Sequence, residues 1–218
     1  MKKINKIIIG TRNDGKFKEI CDLLPKNITK ISPRDLNLLS PDETGNTFEE
    51  NSKIKAEYFT KKTNLVAISD DSGLIIDLLS GAPGIYSSRW AGPTNDFNVA
   101  IEKVYRELKK IKFEWSKRKE IVARFISCLT LHWPNGKFIS STGIVEGRIS
   151  EIKKGTNGFG YDPIFIPSGY EKTFGELNPQ EKIKIDHRSK AFLKISNLFI
   201  NWFLKIGYQT LDRYLVYE

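Results

Sequence analysis

The sequence predicts an α/β protein built on a long mixed β-sheet with flanking helices. Three observations carry that reading. Short apolar runs suited to buried strands alternate with segments of helical periodicity. The first run feeds straight into a glycine-containing turn and a helix, and one later stretch reads as a long antiparallel hairpin. With 218 residues the chain can form one large domain or two small lobes around a sizeable core.

Each element has its own justification. "KIIIG" (Lys6–Gly10) is a short buried strand; the basic start before it resembles a signal sequence, but the apolar run is too short. "GKFKEICDLLP" follows with Phe17, Ile20, Cys21, Leu23 and Leu24 at helical spacing, ending before Pro25. "NITKIS" supplies a second strand. "NTFEENSKIKAEYFTKKTN" is a helix whose start is marked by a capping box, Thr47 with Glu50, and whose end is marked by Asn64. "LVAIS" returns as a strand, Ser72-Gly73 breaks it, and "GLIIDLL" pairs beside it. "GAPGIYSSRWAGPTN" is a loop punctuated by glycine and proline, after which Asn95 or Asp96 caps a helix running to about Lys110.

The hairpin is "VARFISCLTLHW-PNG-KFISSTGIVEGRI", with its turn at Asn135-Gly136. "GTNGFGYDPIF" is a glycine-rich loop entering another strand. A final helix runs from about Ser189 to Leu204, with Phe192, Ile195, Phe199, Ile200 and Phe203 at core spacing.

Composition narrows the function classes. Hydrophobic content of 39% and aromatic content of 11% fit a soluble globular chain. No apolar run approaches the roughly 20 residues of a membrane helix, so no membrane partner is expected. Cys21 and Cys128 fall in apolar periodic segments and read as buried thiols, without metal-ligand spacing; the expected setting is reducing and cytoplasmic. The net charge of +9 leaves a nucleic-acid binder open as an alternative. The lysines, however, are interspersed with acids, and no aromatic-basic interleaved motif accompanies them. No nucleic-acid partner is therefore expected.

"GTRNDGKF" joins the first strand to the first helix and places Thr11, Arg12, Asn13, Asp14, Gly15 and Lys16 where free N–H groups and a helix N-terminus favour an anion. Residues 10–16 also match G-x-x-x-x-G-K, so a P-loop ATPase or kinase is an alternative. That mechanism needs a hydroxyl after the lysine to hold magnesium, and Phe17 stands there. A magnesium ion would then need carboxylates. The acids at element ends are Glu43 and the adjacent pair Asp70 and Asp71, whereas Glu49 and Glu50 are explained by the helix start. Two like charges about 5 Å apart repel by roughly 3 kcal/mol at an effective dielectric near 20, so the pair needs a partner. One carboxylate can bind a metal while its neighbour orients water as a general base.

Taken together, "TRNDGK", "ETGNTFEENSKIKA", "ISDDSGL", "GAPGIYSSRWAG", "ARFISCLTL", "NGFGYDPIF" and "EKIKIDHR" resemble the inosine/xanthosine triphosphate pyrophosphatases, house-cleaning enzymes for deaminated purine nucleotides. The likeness runs from about Lys6 to Leu204 of a single domain spanning residues 1–218, with 205–218 as a C-terminal extension. It implies two lobes around a central nucleotide cleft, a homodimer, and Mg2+-dependent hydrolysis of ITP, dITP or XTP to monophosphate and pyrophosphate. It also implies that Thr11, Asn13, Lys16 and Lys55 hold the triphosphate, with Ser72 touching it. Glu43 and Asp71 would hold the metal, Asp71 would accept the proton of water, and Asp70 would support it. Phe159 and Tyr161, flanking Gly160, would form the wall on which the purine stacks, with Asp162 near sugar or base. Lys182, His187 and Arg188 would read the base. Two departures stand out: Arg12 where the loop often has glycine, and Asp186 where serine is usual. His132 reads as structural, and Arg89 as a cleft or dimer contact.

Overall fold

The computed structural model describes residues 4–111 and 120–204, with side chains up to residue 196. Its six-stranded mixed sheet has the order β2-β1-β3-β4-β5-β6. The strands are β1 (Lys6–Ile9), β2 (Thr29–Ile31), β3 (Val66–Ile76), β4 (Val122–His132), β5 (Phe138–Ile149) and β6 (Phe165–Pro167). β1 lies between β2 and β3 and is parallel to both, whereas β3 through β6 are antiparallel neighbours. Ile7, Ile8 and Ile9 are all buried, as expected of a parallel strand covered on both faces.

Five helices are described: α1 (Asp14–Leu23), α2 (Phe48–Thr63), α3 (Phe97–Lys110), α4 (Pro179–Ile185) and α5 (His187–Leu204). The predicted start of α2 holds in modified form. The Thr47 hydroxyl accepts from Glu50 N–H at 3.1 Å, but the Glu50 carboxylate takes Asn46 N–H at 2.6 Å instead of closing the box on Thr47. Asp96 caps α3, and the hairpin turn falls at Asn135-Gly136 as read from the sequence.

The sequence reading of β3 needs correction. Its ladder with β4 runs unbroken from Ala67↔His132 to Ile76↔Ala123, so Ser72-Gly73 does not end the strand and "GLII" is its continuation. Ladder hydrogen bonds to a long neighbour override the turn preference of those two residues. Consequently Asp70 and Asp71 alternate to opposite faces of the sheet. Helix α4 escaped notice because it spans under two turns, although Asn178-Pro179 is a start signal. Cys128 is buried as expected, but Cys21 is only partly so. Phe199, Ile200 and Phe203, like residues 205–218, fall outside the described side chains.

The face of β3 that carries Asp70 holds two apolar clusters. Ile68, Leu129 and Leu131 pack with Ile20, Leu24, Ala191 and Ile195 from α1 and α5. Leu74, Ile76, Ala123 and Phe125 pack with Ile101, Val104 and Leu108 of α3 and with Tyr161, Phe165 and Phe174. Asp70 and Ser72 lie between these clusters along the strand, with Ser127 opposite Ser72. On the other face α2 covers Ala67 with Phe59.

α5 reaches the sheet over Gly143. A Cβ there would stand 2.0 Å from the His187 carbonyl and 2.4 Å from Ala191 N, both backbone atoms that cannot rotate away. Gly143→Ala is therefore expected to lift the first turn of α5 and to cost about 1–3 kcal/mol, read as a lower urea midpoint. An unchanged midpoint would refute this packing.

Candidate active site

The turn after β1 is shaped by its own side chains. Asn13 caps α1 by accepting Lys16 N–H at 3.0 Å, and the Thr11 hydroxyl accepts Asn13 N–H at 3.2 Å. A Cβ on Gly15 would lie 2.4 Å from the Phe159 ring, so glycine lets the "NGFGYD" loop close against this turn. Phe17 is a partly buried core contact. Arg12 and Asp14 are exposed on the outer side. There Arg34, not singled out from the sequence, donates to the Arg12 carbonyl at 2.6 Å and pairs with Asp14 at 3.0 Å.

Inside the turn, Lys16 reaches Asp70 at 2.9 Å. The same carboxylate accepts from Ser127 at 2.5 Å and Ser72 at 2.8 Å, and Arg188 pairs with it at 3.3 Å while donating to Ser72 at 2.9 Å. Asp70 has no exposed surface. Burial would push its carboxyl up, but Arg188, Lys16 and the Ser127 hydroxyl hold it well below the usual range.

Arg188 continues the network. It pairs with Glu19 of α1, which also binds Lys182 at 2.8 Å; Lys182 in turn binds Asp162 at 2.6 Å. Asp162 accepts Phe159 N–H at 2.8 Å, while the Lys182 ammonium and Arg188 guanidinium lie 5.1 and 5.9 Å from the Phe159 ring centre. Glu19 and Ser127 were missed by sequence reasoning. Glu19 had one local signal, its place three residues after Lys16 on the same helical face. Ser127 lies in the motif "ARFISCLTL" but drew no role from it, since its role comes from strand pairing.

Burial lowers the His187 imidazole well below its usual value, and Arg188 and Lys182 add to this, so the ring is neutral. It stacks on Phe125 at 4.8 Å. Its Nδ1 and the Arg188 Nε are buried without a hydrogen-bond partner. Tyr161 is not an accessible wall as expected: it is 2% exposed, packs edge-on against Phe97, and donates its hydroxyl to the Ser87 carbonyl at 2.9 Å. Gly160 turns the chain between it and Phe159, which alone of the two rings stays partly accessible.

On the opposite face, Lys55 of α2 stands between Glu43 at 2.5 Å and Asp71 at 3.0 Å. Arg89 fixes the Glu43 segment by donating to the Glu43 carbonyl at 2.9 Å. Burial, with Glu43 nearby, raises the Asp71 carboxyl against the pull of Lys55 and Lys16, and Asp71 Oδ2 is buried with no hydrogen-bond partner. Two carboxylates that share one ammonium, one of them with an unsatisfied oxygen, suit a hard divalent cation that keeps waters or takes phosphate oxygens. No group of three or more His, Cys, Asp or Glu capable of holding a metal occurs among the described residues. His132 stands apart, stacked on Phe138, in keeping with a structural role. Among the described residues no helix is long and apolar enough to cross a membrane.

The chain matches the family model described as the Ham1 family over residues 7–198. It is 42% identical to a dITP/XTP pyrophosphatase of Rhodopseudomonas palustris, covering 88% of this chain and 95% of that one. Identity with a dITP/XTP pyrophosphatase of Agrobacterium fabrum is 44%, over 86% and 92% of the two chains. Among solved structures, a HAM1 protein from Coxiella burnetii superposes with a TM-score of 0.79 at 36% identity, covering 90% of this chain and 98% of that chain.

Asp70→Asn would leave Lys16 and Arg188 short of one buried charge, a loss expected to cost about 3–5 kcal/mol at neutral pH. Because the folded carboxyl is held low, its contribution is present above the unfolded value and lost as pH falls through the folded one. Urea titrations of wild type and variant should therefore converge in acid. Curves separated by a constant gap at every pH would contradict this assignment.

Proposed function

The chain belongs to the Ham1 family, and on that premise we propose that it hydrolyses dITP, XTP and ITP to the monophosphate and pyrophosphate, removing deaminated purines from the nucleotide pool. The observation that carries this reading is the buried Asp70 carboxylate, which ties Lys16 of the anion-binding turn to Arg188 beside the Phe159 ring. A phosphate-facing group and a base-facing group thereby share one site.

In this reading the turn of Thr11, Asn13 and Lys16 receives the triphosphate, with Lys55 and Ser72 beside it. Glu43 and Asp71 would hold Mg2+, which supplies neutralisation of phosphate charge and polarisation of a phosphoryl oxygen when bound. Asp71 takes a proton from water as the water oxygen bonds to phosphorus, and the α–β anhydride bond breaks to release pyrophosphate. Its raised carboxyl suits a general base better than an ordinary exposed aspartate would. Phe159 stacks on the purine. Lys182, Arg188 and neutral His187 offer donors to a 6-keto oxygen. The amino group of adenine leaves such buried donors unpaired, which is a strong basis for rejection. The same reading includes a homodimer in the cytoplasm; two free thiols support a reducing compartment.

Incubation of dITP, XTP, ITP, dATP and dGTP with the enzyme and magnesium should release pyrophosphate from the first three. Asp71→Asn should lower kcat by roughly 10²–10⁴. Release of single phosphate, or turnover indifferent to Asp71→Asn, would refute the assignment.

A further inference from the structure

Asp186 stands between the two helices that carry Lys182, His187 and Arg188, and it caps both. Its N–H donates to the Lys182 carbonyl at 2.9 Å, ending α4, and its Oδ1 accepts Ser189 N–H at 2.7 Å, starting α5. It is 1% exposed. The groups that face it are Glu19 on α1, Lys182 on α4 and Arg188 on α5, with neutral His187 next in the chain. Its carboxylate takes its hydrogen bond from the backbone and acts on the two cations through charge.

In the buried network the carboxylates of Glu19, Asp70, Asp162 and Asp186 face the cations Lys16, Lys182 and Arg188. Glu19, Asp70 and Asp162 are the acids that pair with those cations directly. Asp186 is the carboxylate in excess. Burial and Glu19 accordingly raise it to about 6. Its folded value lies above the unfolded one, near 3.9, so the ionised form is a burden on the fold above about pH 6 that fades on acidification. A serine hydroxyl or asparagine amide caps a helix about as well without the charge. Stability alone thus favours a neutral residue here.

We propose that Asp186 is a positioning residue for base recognition: its buried negative charge holds the first turn of α5, Arg188 and Lys182 in register with the purine. The inference rests on the reading of Lys182, His187 and Arg188 as base-facing. Arg188 Nε lacks a partner, so along that edge the guanidinium is placed by surrounding charge, and one more carboxylate narrows where it can sit.

The test is kcat and KM for dITP from pH 5.5 to 8, with melting temperatures, in wild type, Asp186→Asn and Asp186→Ser. At pH 7.5 both variants should melt higher than wild type yet show a KM raised roughly two- to fivefold, the scale of one charge at a helix N-terminus, with kcat little changed. Wild-type KM, taken as a ratio to the variants so that titration of dITP itself cancels, should rise to theirs as pH falls through about 6. KM values superimposable on wild type across the range overturn the proposal. So does a raised KM that comes with a lowered melting temperature in both variants, the mark of a merely structural cap. Lys182→Met separates the two levels of failure. If it leaves discrimination between dITP and dATP intact, the base-facing reading falls; if it abolishes discrimination while the Asp186 variants are silent, only the role of Asp186 falls.

Discussion

Everything in the site hangs on a fully buried aspartate that carries two cations. Asp70 sits within the β3–β4 ladder, opposite Leu129, so its backbone is fixed, and its carboxylate is shared by Lys16, Arg188, Ser72 and Ser127. Lys16 belongs to the first turn of the chain and Arg188 to its last described helix. Removing a charge from water is costly unless its lone pairs are satisfied by well-placed donors, and here four side chains supply them. One carboxylate thus brings together segments more than a hundred residues apart, and the gap between two apolar clusters is where it does so.

The sheet itself sorts the acids. Because β3 continues without a break, Asp70 looks toward α1 and α5, and Asp71 toward α2. Repulsion between the two is relieved by separate cations on separate faces, with Lys55 serving Asp71 and Glu43. The outcomes differ. Asp70 is held low because its partners outweigh its burial, whereas Asp71 is raised because burial and Glu43 outweigh Lys55. Adjacent residues of one type therefore acquire opposite proton affinities, which separates a structural anchor from a group able to take a proton.

The sequence announced the strand-turn-helix start, the start of α2 and the hairpin, since each is written in local spacing and turn chemistry. It misled where long-range pairing decides. Ser72-Gly73 is a turn by composition and a strand by its neighbour β4. Phe159 and Tyr161 are two residues apart and equally aromatic, yet one is accessible and the other lies in the core beside Phe97, a difference only packing creates. Glu19 and Ser127 belong to the network beside the motif residues, Glu19 binding Lys182 and Arg188 and Ser127 donating to Asp70. Neither drew a role from the sequence, because their partners lie far along the chain.

The buried charge of Asp186 belongs to the same electrostatics. On the proposed reading, donors that discriminate against adenine need to be fixed before the ligand arrives, since donors free to relax would find other acceptors and lose their selectivity. Fixing cations in a buried space takes acids, and each added acid raises the cost of burial. The network accommodates three carboxylates by direct pairing; the fourth is tolerated at a helix start, where aligned N–H groups soften its charge. An acid in that one place can act on Arg188 and Lys182 without competing for their hydrogens, which an acid placed within bonding distance could not do.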